Sequence, residues 1–260
     1  MRILVCIKRI PDLETMTFPD IPPKSPANFT CEGTPWRMNR YDEYAVEAAL
    51  RLRETHGASR IDALTVGDQD AGDVLRRAIG MGVDHGVHIQ KTREMFPSPF
   101  TIGELITAYA REKAYDVILC GVMSEDLMQG GVGPIIAGLL KWPCLTAIHT
   151  MNDKEEGRVL RCEREVEGGR QEVLEVRLPA LLTIQSGIHT PRYPALSKLL
   201  RANQYPLEVL PSASLSTPTD RQRVCAITPP EKVRAGVMME GTAESKAHQL
   251  SKLFHAKGLC

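Results

Sequence analysis

Asp116-Val117-Ile118-Leu119-Cys120-Gly121-Val122-Met123-Ser124-Glu125-Asp126-Leu127-Met128-Gln129-Gly130-Gly131-Val132-Gly133 is the stretch on which the fold turns. Val117 to Cys120 is an unbroken apolar run of strand length, closed by Gly121. Gly130, Gly131 and Gly133 then lead the chain into a helical pattern over residues 132 to 141. Similar units recur upstream. Ile3 to Ile7 reads as a buried strand, and residues 42 to 54 place Ala45, Val46, Ala49 and Leu50 on one helical face. Ile61 to Val66 is a second strand ending at Gly67. A helix over 70 to 82 follows, with Gly82 near its C-terminal cap. Val87 to Ile89 is a short strand. Ile102, Leu105, Ile106 and Tyr109 mark a third helix, and Leu145 to Ile148 is strand-like. Strands alternating with helices predict an α/β fold on a doubly wound, mostly parallel sheet.

In open sheets of this kind, ligands sit outside the carboxyl ends of the strands, where strand order reverses. Three strand ends carry suitable residues: Cys6-Ile7-Lys8-Arg9, Val66-Gly67-Asp68, and the loop after Gly121. Glycines before a helix expose backbone N–H groups that hold a phosphate, although the same pattern also serves as a plain structural turn. The chain has no G-x-x-x-x-G-K-[ST] loop, no S-G-G-x-D-S loop and no G-x-S-x-G elbow. His85 and His88 read as structural or solvent-facing, and Arg76-Arg77 as a solvated helix face. No residues are assigned to catalysis. Binding without acid–base or covalent chemistry is the expectation.

The 260 residues carry 32 Lys+Arg against 32 Asp+Glu. A balanced chain lacks the summed positive field that nucleic acid or an anionic membrane surface requires. No apolar run has the length of a membrane span, so direct membrane insertion is not expected. The run from Met1 to Lys8 is too short for a signal-peptide core with its cleavage site. Seven cysteines stand without a C-x-x-C pair, and Cys6, Cys120 and Cys144 lie within apolar runs. Reduced core thiols and a cytoplasmic location are expected. The seven histidines do not cluster with cysteines at ligand spacing, and no metal site is assigned.

Other segments depart from the alternation. Residues 10 to 37 are proline-rich and form a long excursion. Val159 to Val166 is expected to pair with Glu172 to Leu178 in a hairpin across Gly168-Gly169. The apolar run Leu178-Pro179-Ala180-Leu181-Leu182-Thr183-Ile184 hands over to Thr190-Pro191-Arg192-Tyr193-Pro194-Ala195-Leu196. Two prolines stiffen this second segment. A short helix then carries Leu196, Leu199 and Leu200 on one face. The segment is either a docking element or a loop whose leucines tuck under their own domain. Beyond residue 203 the chain is polar and proline-punctuated, then ends in a helix capped by Thr242, with Ala243, Ala247, Leu250 and Phe254 on one face. Residues 1–203 are read as the α/β domain, with the leucine-bearing loop near 186–203, and 204–260 as an extended C-terminal arm. Its helix packs on a partner or back on its own domain.

Seven pieces in one order carry a family resemblance over nearly the whole chain. They are Lys8-Arg9, Met38-Asn39-x-x-Asp42-Glu43-x-Ala45-Val46-Glu47-x-Ala49, Leu75-Arg76-x-Ala78-x-x-Met81-Gly82-x-Asp84, Asp116 to Gly121, Trp142-Pro143, Arg164 to Gly169, and Pro191-Arg192-Tyr193. The chain resembles the beta subunits of electron transfer flavoproteins. The resemblance implies a Rossmann-like, adenine-nucleotide-binding domain that holds AMP structurally and helps close the FAD site of an alpha subunit. It implies docking of flavin dehydrogenases, such as acyl-CoA dehydrogenases, and of a membrane quinone oxidoreductase. Cofactor-binding positions are then Cys6, Asn39, Asp42, Val66, Gly67, Gly121, Asp126, Gln129, Gly130, Gly131, Val132 and Gly133. Pro191, Arg192, Tyr193, Leu196 and Leu199 become the partner-docking loop, with Leu196 as anchor. Asn39 also reads as a helix-start residue, and Asp42-Glu43 as a favourable first-turn pair.

Departures from the family pattern bear on the nucleotide. Glu125 to Val132 replaces D-D-x-x-x-Q-T, so phosphate would rely on backbone groups and Gln129. Leu13 stands where a tyrosine leans on the flavin. Gly131-Val132-Gly133-Pro134 and Pro11-Asp12 are closer to an electron-bifurcating branch whose beta subunit holds a second FAD. A stand-alone nucleotide-binding stress-type module on the same fold is the reading from another class.

Overall fold

The structure is a computed structural model that describes residues 1–16, 33–56, 60–92, 97–154, 158–215, 221–222, 224–226, 236 and 238–259. The chain divides into two compact units, Met1–Ile227 and Thr228–Cys260. Within the first, β1 (Arg2–Cys6), β4 (Arg60–Gly67), β5 (His85–Gln90), β6 (Val117–Gly121), β7 (Cys144–Asp153) and β10 (Ala180–Ile184) form the parallel body of one sheet, together with β11 (Glu208–Pro211). Hairpin strands β8 (Val159–Val166) and β9 (Arg170–Arg177) extend it antiparallel. Among the described residues, the nine strands run β11-β5-β4-β1-β6-β10-β7-β8-β9. β1 starts the sheet, β4, β5 and β11 build outward on one side, and β6 opens the other. The strand order therefore reverses between β1 and β6.

Side chains alternate across a strand, and the two cores follow that alternation. Ile3 and Val5 of β1 and Val117 and Leu119 of β6 pack with helices α1 (Arg40–His56) and α2 (Gly72–Met81) on one face. Leu4, Cys6, Ile118 and Cys120 pack with α3 (Pro99–Ala110) and α4 (Val132–Leu140) on the other. This is the expected doubly wound arrangement. Local chemistry sets the helix ends. Pro99 opens α3, where a missing N–H costs nothing. Gly82 ends α2 with φ 128°, a conformation that suits glycine, and its N–H bonds back to Ala78 and Ile79.

Several expectations need correction. The hairpin forms the sheet's antiparallel edge, and its return strand starts at Arg170 rather than Glu172. The run Leu178 to Ile184 yields a strand only from Ala180. Arg9–Pro11 (β2) and Trp36–Met38 (β3) pair as a small antiparallel ribbon where no strand was expected. The middle of that proline-rich excursion, residues 17–32, lies outside the described residues. Residues 208–211, assigned to the arm, join the sheet beside β5, so the main unit runs past residue 203. In the second unit, helix α6 (Ala243–Ala256) starts at the expected cap: the Thr242 hydroxyl accepts from Ser245 N–H at 3.3 Å. Every residue of α6 is exposed, including Leu250, Leu253 and Phe254.

Candidate functional site

A cavity of about 750 Å³, counting its open mouth, lies at the carboxyl end of the sheet between β1 and β6. It stands at the position where doubly wound sheets bind ligands. Asp42, in the first turn of α1, ties the two strand ends together. Its Oδ2 accepts the Lys8 N–H at 2.8 Å and its Oδ1 accepts the Gly121 N–H at 3.0 Å. Both strands thus end on one carboxylate. Burial raises that carboxyl to about 7, against the opposing pull of the Lys8, Asn39 and Gly121 hydrogen bonds and of the Lys8 charge.

This shift has a definite sign. The folded value lies above the ordinary one, so Asp42 contributes most to stability below about pH 4, and that contribution is lost as pH rises through about 7. Denaturation of wild type and Asp42→Asn across pH 4 to 8 should show a downward stability slope in wild type that the variant lacks. Parallel slopes would refute the assignment.

The loop from Val122 to Gly130 forms the cavity's outer wall and is held at three points. Asn39 Nδ2 donates to the Met123 carbonyl at 2.9 Å, and its Oδ1 accepts the Glu125 N–H at 3.1 Å. Lys8 Nζ reaches both oxygens of Asp126, at 2.7 and 2.8 Å. Glu125 accepts the Arg40 N–H and pairs with the Arg37 guanidinium, each at 3.0 Å. Ser124 N–H to the Gln129 carbonyl at 3.0 Å closes the turn. Asn39 starts the helix as expected and also holds the loop, a role the sequence did not suggest. The backbone carbonyl starts α1 by accepting from Asp42 and Glu43, while the side chain holds the loop.

Cys6, Asn39, Asp42, Val66, Gly121, Gln129, Gly130, Val132 and Gly133 line this cavity. Gly67 and Asp126 face an adjoining cavity that also includes Lys8, Arg9, Trp36 and Asp68. Gly131 lines neither; it precedes α4 in a helical conformation at φ −80°. The glycines also differ in need. A Cβ on Gly130 would stand 2.7 Å from the Val122 carbonyl oxygen, and one on Gly133 2.7 Å from Thr183 Cγ2. On Gly131 it would make ordinary 3.5 Å contact with Pro99. Close packing within the protein therefore demands Gly130 and Gly133, not Gly131.

The floor is apolar. Cys6 and Cys120 are direct partners on adjacent strands, and their mutual hydrogen bond, followed by burial, raises the Cys120 thiol well above its ordinary range. The two thiols join Val66, Pro97, Pro99, Ile102 and Ile106. The prolines and the α3 residues escaped the sequence reading as site residues, because Ile102 and Ile106 register there only as an apolar helix face. At one end, the first turn of α4 presents N–H groups that lack intrahelical acceptors, together with the positive end of the helix dipole. An apolar slot beside an anion-binding helix start can seat a flat base and its phosphate. Among the described residues, no cluster of His, Cys, Asp or Glu could hold a metal, and no helix is long and apolar enough to cross a membrane.

The leucine-bearing segment lies elsewhere on the domain. Helix α5 (Leu196–Asn203) leaves Leu196 72% and Leu200 58% exposed, and Tyr193 precedes them at 80%. Tyr193 lies against the Arg77 guanidinium, 5.5 Å from ring centre. Pro191 is half-buried. Leu199 does not share the exposure of Leu196 and Leu200: it is half-buried, and its Cδ2 lies so near Gly80 of α2 that a Cβ there would stand 2.9 Å away. Arg192 turns inward to Glu47 and Glu54.

Fold and cavity define a doubly wound α/β protein with an open cavity at the switch point of its sheet. The model of the electron transfer flavoprotein domain matches residues 28–215. An electron transfer flavoprotein subunit beta of Bacillus subtilis is 34% identical over 232 residues, covering 87% of this chain and 88% of its own length. A mitochondrial subunit beta of Oryza sativa is 32% identical over 252 residues, covering 94% and 95%. The Homo sapiens subunit beta is 28% identical over 249 residues, covering 94% of both. The chain belongs to the electron transfer flavoprotein beta-subunit family.

Proposed function

We propose that this chain is the beta subunit of a heterodimeric electron transfer flavoprotein, holding AMP in the cavity between β1 and β6. The observation that carries this is the pairing of an apolar slot with the N–H groups opening α4 at the sheet's switch point. Val66, Ile102 and Ile106 would pack against the adenine. Gln129 and the N–H groups around Gly130 to Gly133 would hold the phosphate. Asp42 and Asn39 shape the cavity by fixing the strand ends and the loop. When bound, FAD shared with the alpha subunit supplies the redox chemistry. This chain's part is to close that site and to present Tyr193, Leu196 and Leu200 to flavin dehydrogenases such as acyl-CoA dehydrogenases, and to a membrane quinone oxidoreductase. The exposed helix α6 would pack on the alpha subunit. Free thiols at Cys6, Cys120, Cys144 and Cys162 fit a reducing, cytoplasmic setting.

A second reading makes the nucleotide FAD and the complex electron-bifurcating. The adjoining cavity favours it, since that cavity shares Lys8, Val66, Pro97 and Ile102 with the first and lengthens the available space. Nucleotide extraction from the purified heterodimer separates the two. One FAD and one AMP supports the carrier; two FAD without AMP supports bifurcation; neither nucleotide in this chain refutes the cavity assignment. A Gly131→Val variant sharpens the test. A Cβ there makes only ordinary contact with Pro99 and Ile135, so the melting temperature should change little while nucleotide content falls, because the branch obstructs a phosphate's approach to the helix start. Full nucleotide content in this variant would place the phosphate elsewhere.

A further inference from the structure

Glu47 is a carboxylate on an apolar helix face. Val46, Ala48 and Ala49 beside it are fully buried, and so is Glu47 itself. An unpaired charge in such a place is strongly unfavourable, and an apolar residue would serve packing better. The acid instead collects a concentrated set of donors. Its Oε2 accepts the Arg192 backbone N–H at 3.1 Å and Arg192 Nε at 2.8 Å, and its Oε1 accepts Arg192 Nη2 at 2.8 Å. Arg51 Nε adds a bond at 3.0 Å. Burial pushes Glu47 upward, but the Arg192 hydrogen bonds outweigh it, and the carboxyl sits below its ordinary range. Arg192 also reaches Glu54 at 2.8 Å.

The bonds fix a backbone N–H and a planar guanidinium together, so both the position and the orientation of residue 192 are set. Pro191 and Pro194 restrict the chain on either side. Tyr193 follows immediately, and Leu196 stands four residues on, both pointing to solvent. We propose that Glu47 is a positioning residue for docking, holding Arg192 so that Tyr193 and Leu196 are presented to a flavoprotein partner in one conformation. The proposal rests on the docking role given above to this loop. Arg192 is accordingly part of the mount, and the exposed side chains are the contact. A pre-ordered loop lowers the ordering cost of association, so its loss weakens encounter affinity and leaves transfer within the docked complex intact.

The test uses the assembled heterodimer with Glu47→Gln, which keeps shape and removes charge. Arg192→Lys is the second variant, keeping charge and removing the fork, for the case in which the first does not fold. Amide hydrogen exchange at residues 190–196 should rise about tenfold, and the KM for reduced acyl-CoA dehydrogenase should rise about tenfold with kcat held, as expected for losing charge-assisted hydrogen bonds. Exchange in β1 and β6 should stay unchanged. Unaltered exchange at 190–196 overturns the proposal, and so does an increase spread over the whole chain. If the loop is freed and KM stays constant while Leu196→Ala raises it, the mount is overturned and the docking role stands. Normal kinetics in Leu196→Ala overturn both.

Discussion

Leu196→Ala should keep its melting temperature and its bound nucleotide and slow electron transfer from a partner dehydrogenase. The side chain is 72% exposed at the start of α5, so truncation opens no cavity in the free protein. An apolar anchor filling a partner pocket contributes on the order of 2 kcal/mol, which corresponds to about thirtyfold in affinity. A leucine tucked into its own core would behave oppositely, losing roughly 2–5 kcal/mol of stability on truncation. One variant therefore distinguishes a docking element from a self-packed loop. Thermal melting and stopped-flow oxidation of a reduced acyl-CoA dehydrogenase are the measurements. A destabilised variant that transfers electrons normally would sink the docking role.

Gly121→Ala should be the most damaging small substitution at the nucleotide cavity. A Cβ there would clash with Asp42 Oδ1 and stand 2.7 Å from Tyr41 Cβ and 2.9 Å from the Tyr41 carbonyl carbon. Backbone at the start of α1 cannot yield as a side-chain tip can. Relief requires parting β6 from α1, which breaks the Gly121 N–H bond to Asp42 and leaves a buried carboxylate short of a donor. Overpacking of this kind costs about 3 kcal/mol, a fall of roughly 6–12 °C in melting temperature for a chain this size. Nucleotide content should fall with it, since Asp42 holds both strand ends that frame the cavity. Gly138→Ala is the control, because a Cβ there meets nothing within 4 Å. Equal melting temperatures for the two variants would show that the strand end is not constrained as described.

Much of the architecture follows from local pattern. Alternate residues of β1 feed opposite cores, Ile3 and Val5 on one side and Leu4 and Cys6 on the other, as a strand buried on both faces requires. Thr242 caps α6 and Gly82 ends α2 through bonds spanning only three or four residues. The cavity's place at the ends of β1 and β6 was legible for a similar reason: alternation of strands and helices leaves few topologies, and each has its crevice at the reversal of strand order.

Local pattern thus settled the main alternation of strands and helices, the faces of the central strands, and the caps of α2 and α6. With them it settled the family and the crevice at the reversal of strand order; it missed β2, β3 and β11. Tertiary structure alone decided which groups meet. Nothing local announces that Asp42 will join Lys8 to Gly121, 79 residues further on, or that Arg192 will turn from solvent to Glu47, 145 residues away. Nor does residue type alone separate Gly131, which has room for a Cβ, from Gly130 and Gly133, which do not. The short run Glu208-Val209-Leu210-Pro211 becomes a strand because β5 offers it an open edge. Propensity, capping and periodicity act within a turn or two of chain. Buried carboxylates, edge pairing and close backbone approach are settled by neighbours that only the folded chain supplies.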